Sequence, residues 1–311
     1  MRIVFFGSPE SALPSLRRIL SDGHRVELVI TQPDKPAGRG QALAMSPVKR
    51  FALEHALPLH QPEKIRKDPQ GLELLQAIQP DISVVVAFGQ IMPSAVIYLP
   101  RLHTVNMHFS ILPKYRGASP VAWALLQGET RTGITIFELD EKMDEGDVLL
   151  NREVDIQPDE NTGTLEKRLA EVGAGLLSET LAKRESLHLV PQDHGAATYA
   201  PKLKKEDGRI NWSETAVIVD RKVRAFTPWP SAFTFLDGNR LQVSRGKPLE
   251  GERAGREVPG RILSVTKEGL RVSCGQGTVF LIARLKPENR GEMSAFDFSR
   301  GRKIENGASL G

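Results

Sequence analysis

Residues 82–87 read ISVVVA. The run is apolar on both faces and rich in β-branched side chains, as a central strand of a parallel sheet must be when it is covered on both sides. Upstream, residues 2–6 (RIVFF) form a second apolar run, closed by Gly7-Ser8-Pro9. Ser8 is the expected N-cap and Pro9 suits the first turn of a helix whose Leu13, Leu16, Ile19 and Leu20 fall on one face. Residues 26–30 (VELVI), 105–109 and 133–139 supply further expected strands, and residues 162–184 a long helix opened by Thr162. Strands alternating with helices imply an α/β domain with a doubly wound, mostly parallel sheet. Such sheets take ligands at the carboxyl ends of their strands, near a switch point.

The rest of the chain changes character. At 311 residues it has room for two domains. Residues 185–209 break the periodic pattern with Pro191, Gly195, Pro201 and KLKKEDGR. Beyond them, a helical stretch at 214–225 precedes five short apolar runs at 232–236, 240–244, 260–265, 270–274 and 278–283, divided by Gly-bearing turns. The expected division is a catalytic domain over 1–190, a linker over 191–208 and a C-terminal OB-like β-barrel over 209–311. Charge follows the same division: residues 201–311 hold 21 Lys and Arg against 13 Asp and Glu, and residues 1–200 hold 21 against 25. A basic rear suggests a polyanionic partner, though a mild bias also suits a plain solvated surface. The single cysteine, Cys274, excludes an internal disulfide framework and a Cys-based zinc cluster. No run approaches the roughly 18 apolar residues of a membrane span. The opening MRIVFFGSPE shows no charged-then-apolar leader, so the expected setting is cytoplasmic, with no membrane contact.

The chemistry concentrates in residues 104–147, TVNMHFSILPKYRGASPVAWALLQGETRTGITIFELDEKMDEGD. Asn106 and His108 stand two apart on an expected strand, so their side chains share a face. Asp144 follows in the loop after the next strand, within reach of the imidazole. An amide, an imidazole and a carboxylate together can stabilise an oxyanion and move a proton, which fits acyl transfer to a nucleophile carried by the substrate. An Asn-x-His pair also occurs simply as hydrogen-bonded strand neighbours, so the triplet alone leaves both readings open. No second His stands at ligand spacing for a metal, and the acidic run lacks the calcium-loop pattern. G-x-S-x-G, P-loop and G-x-G-x-x-G motifs are absent, which leaves hydrolase-elbow, phosphoryl and nicotinamide chemistry unsupported. Residues 31–50, TQPDKPAGRGQALAMSPVKR, form a loop too long and too Pro/Gly-rich for a plain connection.

NMHFSILPKYRGASP, followed by GITIFELDEKMDEGD, closely resembles the folate-dependent formyltransferases. The resemblance runs nearly end to end: IVFFGSPE, the loop TQPDKPAGRG with SPVK behind it, VVVAFGQIMP, RINW and RAFTPWP all belong to it. It implies 10-formyltetrahydrofolate as formyl donor, no metal, and, from the long loop and the basic rear domain, initiator methionyl-tRNA as acceptor. It implies a monomer that needs no protein partner. In the family the matching Asn, His and Asp are catalytic, so Asn106 would donate to the oxyanion, His108 would protonate the departing folate nitrogen, and Asp144 would orient His108 and help take the amine proton. Folate is expected along Phe88, Gly89, Gln90, Ile91 and Met92, beside the turn Ser110, Ile111, Leu112 and Pro113, and against Leu139 and Asp140. Lys35 and Arg39 would meet the tRNA. Phe109, Ile111, Ser119 and FGQIMP depart from the common family pattern and touch the details of the folate pocket. Three other readings remain: a sugar-nucleotide or amino-sugar formyltransferase, a catalytically silent RNA-binding module, and a formyl-folate hydrolase.

Overall fold

The computed structural model describes residues 1–37, 42–302, 304 and 306–311. They fold into two compact units, one made of Met1–Pro120 with Arg131–Asp155 and Glu166–Pro201, the other of Val121–Thr130 with Ile156–Leu165 and Lys202–Gly311.

The elements of the front half are β1 (Arg2–Gly7), α1 (Leu13–Ser21), β2 (Arg25–Ile30), β3 (Lys35–Ala37), β4 (Ala42–Ala44), α2 (Pro47–Glu54), β5 (Leu59–His60), α3 (Pro69–Ile78), β6 (Ile82–Val86), α4 (Ser94–Ile97), β7 (Thr104–His108), α5 (Pro120–Gln127), β8 (Arg131–Glu138), β9 (Val148–Asp155) and α6 (Thr162–Lys183). A seven-stranded sheet runs β5-β2-β1-β6-β7-β8-β9. It is parallel from β5 to β7, and β8 and β9 pair antiparallel at its far edge. The ISVVVA run is β6, and all five of its residues are buried. On one face, Val4, Phe6, Leu28, Ile30 and Val85 pack with Phe88, Met92, Val96 and Ile97. Because β6 lies between β1 and β7, its carboxyl end delivers residues 87–93 next to the end of β7 that carries His108.

Several local features differ from the sequence reading. Ser8 does not cap a helix: its Oγ accepts the Gln32 N–H at 3.0 Å, tying the end of β1 to the end of β2. The α6 cap is Asn161, whose Oδ1 accepts the Thr164 N–H at 3.0 Å, while Thr162 donates to the Ala225 carbonyl. Strand β9 carries only one apolar residue, Val154, in its exposed half, NREVD, so alternation could not reveal it. The loop over residues 31–50 contains a short antiparallel hairpin, β3 with β4, in register Lys35↔Ala44. Residues 190–200, inside the stretch read as a linker, are hydrogen-bonded within the first unit: Val190 pairs with Val148, and Tyr199 pairs with Arg116.

The rear unit carries α7 (Ala216–Ala225), β10 (Ala232–Leu236), β11 (Asn239–Pro248), β12 (Ile262–Thr266), β13 (Gly269–Ser273), β14 (Val279–Pro287), β15 (Met293–Ser294) and α8 (Ala295–Arg302). The antiparallel sheet runs β10-β11-β14-β13-β12. Its two edges are joined through the C-terminal residues: Leu310 bridges Leu236 of β10, and Ser309 bridges Arg261 beside β12. Trp212, Val219, Leu241, Val272, Phe280 and Ile282 form its core. Cys274 is buried there, and burial pushes its thiol up to about 12. Because the thiolate is the reactive form, iodoacetamide at pH 8 leaves the native protein unlabelled and modifies Cys274 only after denaturation. Mass spectrometry reads this directly, and rapid labelling of the native chain would contradict this burial.

Candidate active site

β7 pairs with β6 through Val85↔Asn106 and with β8 through Asn106↔Phe137 and His108↔Thr135. Asn106 and His108 therefore sit on one face of one strand, roughly 7 Å apart along the chain. His108 is buried. Its Nε2 lies 2.9 Å from the Tyr115 carbonyl oxygen. A carbonyl can only accept, so Nε2 carries the hydrogen and Nδ1 is the nitrogen left to exchange a proton. Nδ1 lies 3.7 Å from Asp144 Oδ2, a pairing distance longer than a hydrogen bond. Asp144 Oδ2 itself accepts the Gly117 N–H at 2.7 Å.

The backbone here is held in costly conformations. Ala87, Tyr115 and Asp144 have φ of 48°, 61° and 56°, in the left-handed region that costs a non-glycine residue about 1 kcal/mol or more. The turn after β7 is pinned: Ser110 Oγ donates to the Lys114 carbonyl, the Leu112 N–H donates to Thr135 Oγ1, and Thr135 Oγ1 donates to the Ser110 carbonyl. The site is preorganised by bonds internal to the fold, which is what charge stabilisation in a transition state requires.

The expected folate residues divide by exposure. Phe88, Met92, Ser110 and Leu112 are buried; Phe88 meets Phe6 edge-on and packs in the core with Met92. Ile111, Pro113, Leu139 and Asp140 are half-buried. Ile91 is 75% exposed. Gly89 has φ of 74°, which strains any other residue, and a Cβ there would lie 2.6 Å from Gln32 Nε2, which donates to the Phe88 carbonyl. Gln90 turns inward, its Oε1 accepting the Ile65 N–H at 2.7 Å and its Nε2 donating to the Pro62 carbonyl. Gln90 and Ile91 line a cavity of about 200 Å3 with Glu63, Lys64 and Arg66.

Lys35 is exposed, with Nζ donating to Gln32 Oε1. Arg39 lies outside the described residues. The base of its loop is anchored by Lys49 Nζ on Asp34 Oδ2 at 2.7 Å; this hydrogen bond, aided by one from Gln61, holds the Asp34 carboxyl below the usual carboxylate range. Sequence reasoning missed the Tyr115 carbonyl and the Gly117 N–H, because backbone groups leave no side-chain signature. It also missed Gln192, more than 40 residues from Asp144, and took Arg116 only as part of a motif.

The family model for formyl transferase matches residues 1–181, and that for the formyl transferase C-terminal domain matches residues 202–303. The chain belongs to the formyl transferase family. A member named methionyl-tRNA formyltransferase, from Citrifermentans bemidjiense, is 44% identical over 313 residues, spanning 100% of this chain and 96% of that one. Among solved structures, the sugar 3N-formyl transferase WlaRD, in the presence of dTDP and 5-N-formyl-THF, aligns with a TM-score of 0.67 at 19% identity over 94% of this formyl transferase and 99% of its own chain. A methionyl-tRNA formyltransferase from Clostridium thermocellum aligns with a TM-score of 0.57 at 19% identity over 81% and 95%. At such identities the solved structures share the fold with this formyl transferase, and the fold alone does not choose the acceptor.

Proposed function

We propose that this formyl transferase moves the formyl group of 10-formyltetrahydrofolate to the α-amino group of methionine on initiator methionyl-tRNA. The chemistry rests on one observation, His108 Nδ1 facing Asp144 on the strand face shared with Asn106. The acceptor rests on the full-length identity to enzymes of that name. The neutral amine attacks the formyl carbon, forming a C–N bond and a tetrahedral oxyanion. The Asn106 carboxamide donates to that oxygen. Asp144 and His108 Nδ1 take the proton from the attacking nitrogen, the C–N10 bond breaks, and imidazolium Nδ1 returns a proton to N10 as tetrahydrofolate leaves. Folate lies along residues 88–92, against residues 110–113 and 139–140. The chain acts in the cytoplasm as a monomer. Incubating it with formyl donor and either charged initiator tRNA, an amino-sugar nucleotide or no acceptor tests the reading. Formylation of the tRNA alone is expected. Formylated sugar, or donor consumed without acceptor, points to one of the other two enzymes, and no reaction under any condition to a silent module.

In this reading the first unit does the chemistry, and residues 209–311 hold the tRNA with Lys35 and Arg39 from the front loop. Support in the rear unit comes from the outer face of β10 and β11. Phe233 and Phe235 stand on it edge-to-face, 5.8 Å apart, while Ala232, Leu236, Leu241 and Val243 face the core. The Arg240 guanidinium lies 4.0 Å from the Phe233 centroid, and that of Arg209 lies 5.6 Å from Phe235. Aromatic rings covered by guanidinium groups hold cations ready for phosphates. Arg209→Gln and Arg240→Gln are each expected to weaken tRNA binding about 3- to 10-fold and to lower the slope of log affinity against log salt by about one. Unchanged slopes in both variants would remove this face from the tRNA contact.

A further inference from the structure

Asp144 reaches His108 only because its loop is held in place, and the groups that hold it come from elsewhere in the chain. The Gln192 side chain is buried. Its Nε2 donates to the Asp144 carbonyl at 3.0 Å and to the Gly146 carbonyl at 2.7 Å. Its Oε1 accepts from Arg116 Nε at 3.1 Å and Nη2 at 2.7 Å. Only one orientation of the amide satisfies all four: a flipped amide would set its donors against a guanidinium and its oxygen against two carbonyls.

Arg116 is 1% exposed. Besides Gln192, its Nη2 meets His194 Nδ1 at 3.1 Å and its Nη1 lies 3.5 Å from Glu145 Oε1. Its own backbone is fixed, the N–H donating to the Thr198 carbonyl and the carbonyl accepting the Ala200 N–H. The residues on either side of Arg116 are the ones that touch the catalytic pair, Tyr115 through its carbonyl to His108 and Gly117 through its N–H to Asp144. A buried guanidinium gains little stability over an apolar residue of similar size, since desolvation offsets its pairing. What it supplies is direction: planar donors aimed at the carboxamide oxygen, which turn the amide nitrogen toward the two carbonyls.

We propose that Gln192 is a positioning residue for formyl transfer, clamped by Arg116 and holding the Asp144–Gly146 backbone so that the Asp144 carboxylate faces His108 Nδ1. The proposal rests on the catalytic reading of Asp144 given above. It makes a segment read from sequence as a linker a working part of the active site.

The test is a double-mutant cycle on the full chain with charged initiator tRNA. Gln192→Ala is expected to lower kcat about 10- to 100-fold, as loss of groups that orient catalytic ligands does, with KM for donor and tRNA within about threefold. Gln192→Glu keeps the volume and the acceptor toward Arg116 but cannot donate to the two carbonyls, so its kcat falls at least as far. If Gln192→Ala does not fold, Gln192→Glu decides on the same criteria. In an Asp144→Ala background the Gln192 change costs little more, because a residue acting through Asp144 has nothing left to position. Turnover within threefold of the parent in a folded Gln192 variant overturns the proposal, and so does a loss that adds in full to that of Asp144→Ala. Retained turnover in Asp144→Ala by itself sinks the catalytic reading; a crippled Asp144→Ala beside a fully active Gln192→Ala sinks the clamp alone.

Discussion

Asn106→Ala and Asp144→Ala each lower turnover about 100- to 1000-fold while the protein stays folded. The magnitude is that of one preorganised oxyanion donor, about 3–4 kcal/mol of barrier. The two variants differ in what else they lose. Asn106 is a half-buried residue on β7, so its truncation leaves the sheet register intact and KM within a few-fold. Asp144→Ala removes the acceptor of the Gly117 N–H, which adds a stability cost of about 1–3 kcal/mol, visible as a lower Tm. Asp144→Asn separates the two effects. Its carbonyl still accepts from Gly117 and restores stability, but it puts no negative charge opposite His108 Nδ1, 3.7 Å away. Turnover of Asp144→Asn therefore stays as low as that of Asp144→Ala. Single-turnover rates at saturating donor and tRNA read the chemical step, and wild-type-like rates in Asn106→Ala or Asp144→Asn would refute the assignment.

Gly146→Ala is the second large effect, and it comes without touching a catalytic side chain. A Cβ at Gly146 would lie 1.8 Å from the Glu138 carbonyl oxygen, which is backbone of β8 and cannot step aside. The loop has to move instead, by more than about 1 Å, and Asp144 sits two residues away on it. Displacements of that size in a catalytic group cost about 100-fold in rate. The expected result is a folded protein, destabilised by about 1–3 kcal/mol from the overlap, with turnover reduced about 100-fold. Gly175→Ala is the matched control. It lies within α6, nothing stands within 4 Å of its Cβ, and exchanging a helical Gly for Ala stabilises by up to about 1 kcal/mol. Full activity in Gly146→Ala would show that the loop tolerates displacement and that Asp144 needs no exact placement.

The strands that order the first unit were legible because burial on two faces writes itself into composition. RIVFF, VELVI and ISVVVA admit few polar residues, since each is covered on both sides. Strand β9 was not legible: as an edge strand it is half exposed, and NREVD carries no period of two that separates it from a loop. Ser8 and Thr162 look like helix caps in sequence, yet Ser8 bonds to Gln32 and Thr162 to Ala225. A hydroxyl serves whichever backbone group folding brings nearest, and sequence neighbours are only one source of partners.

The site shows the same division more sharply. Asn106 and His108 share a face because a strand alternates sides every residue, so their pairing follows from spacing alone. Membership of the formyl transferase family was likewise legible in NMHFSILPKYRGASP and its companions, where the residue types themselves are the chemistry. The tautomer of His108, the 3.7 Å approach of Asp144 and the demand for glycine at position 146 were settled only by the tertiary structure. They depend on the Tyr115 carbonyl, the Gly117 N–H, the Glu138 carbonyl and a glutamine from the far end of the unit. Backbone groups are identical in every residue, and a contact across 48 residues has no local pattern. Local order decides which side chains can act together; only packing decides how far apart they stand.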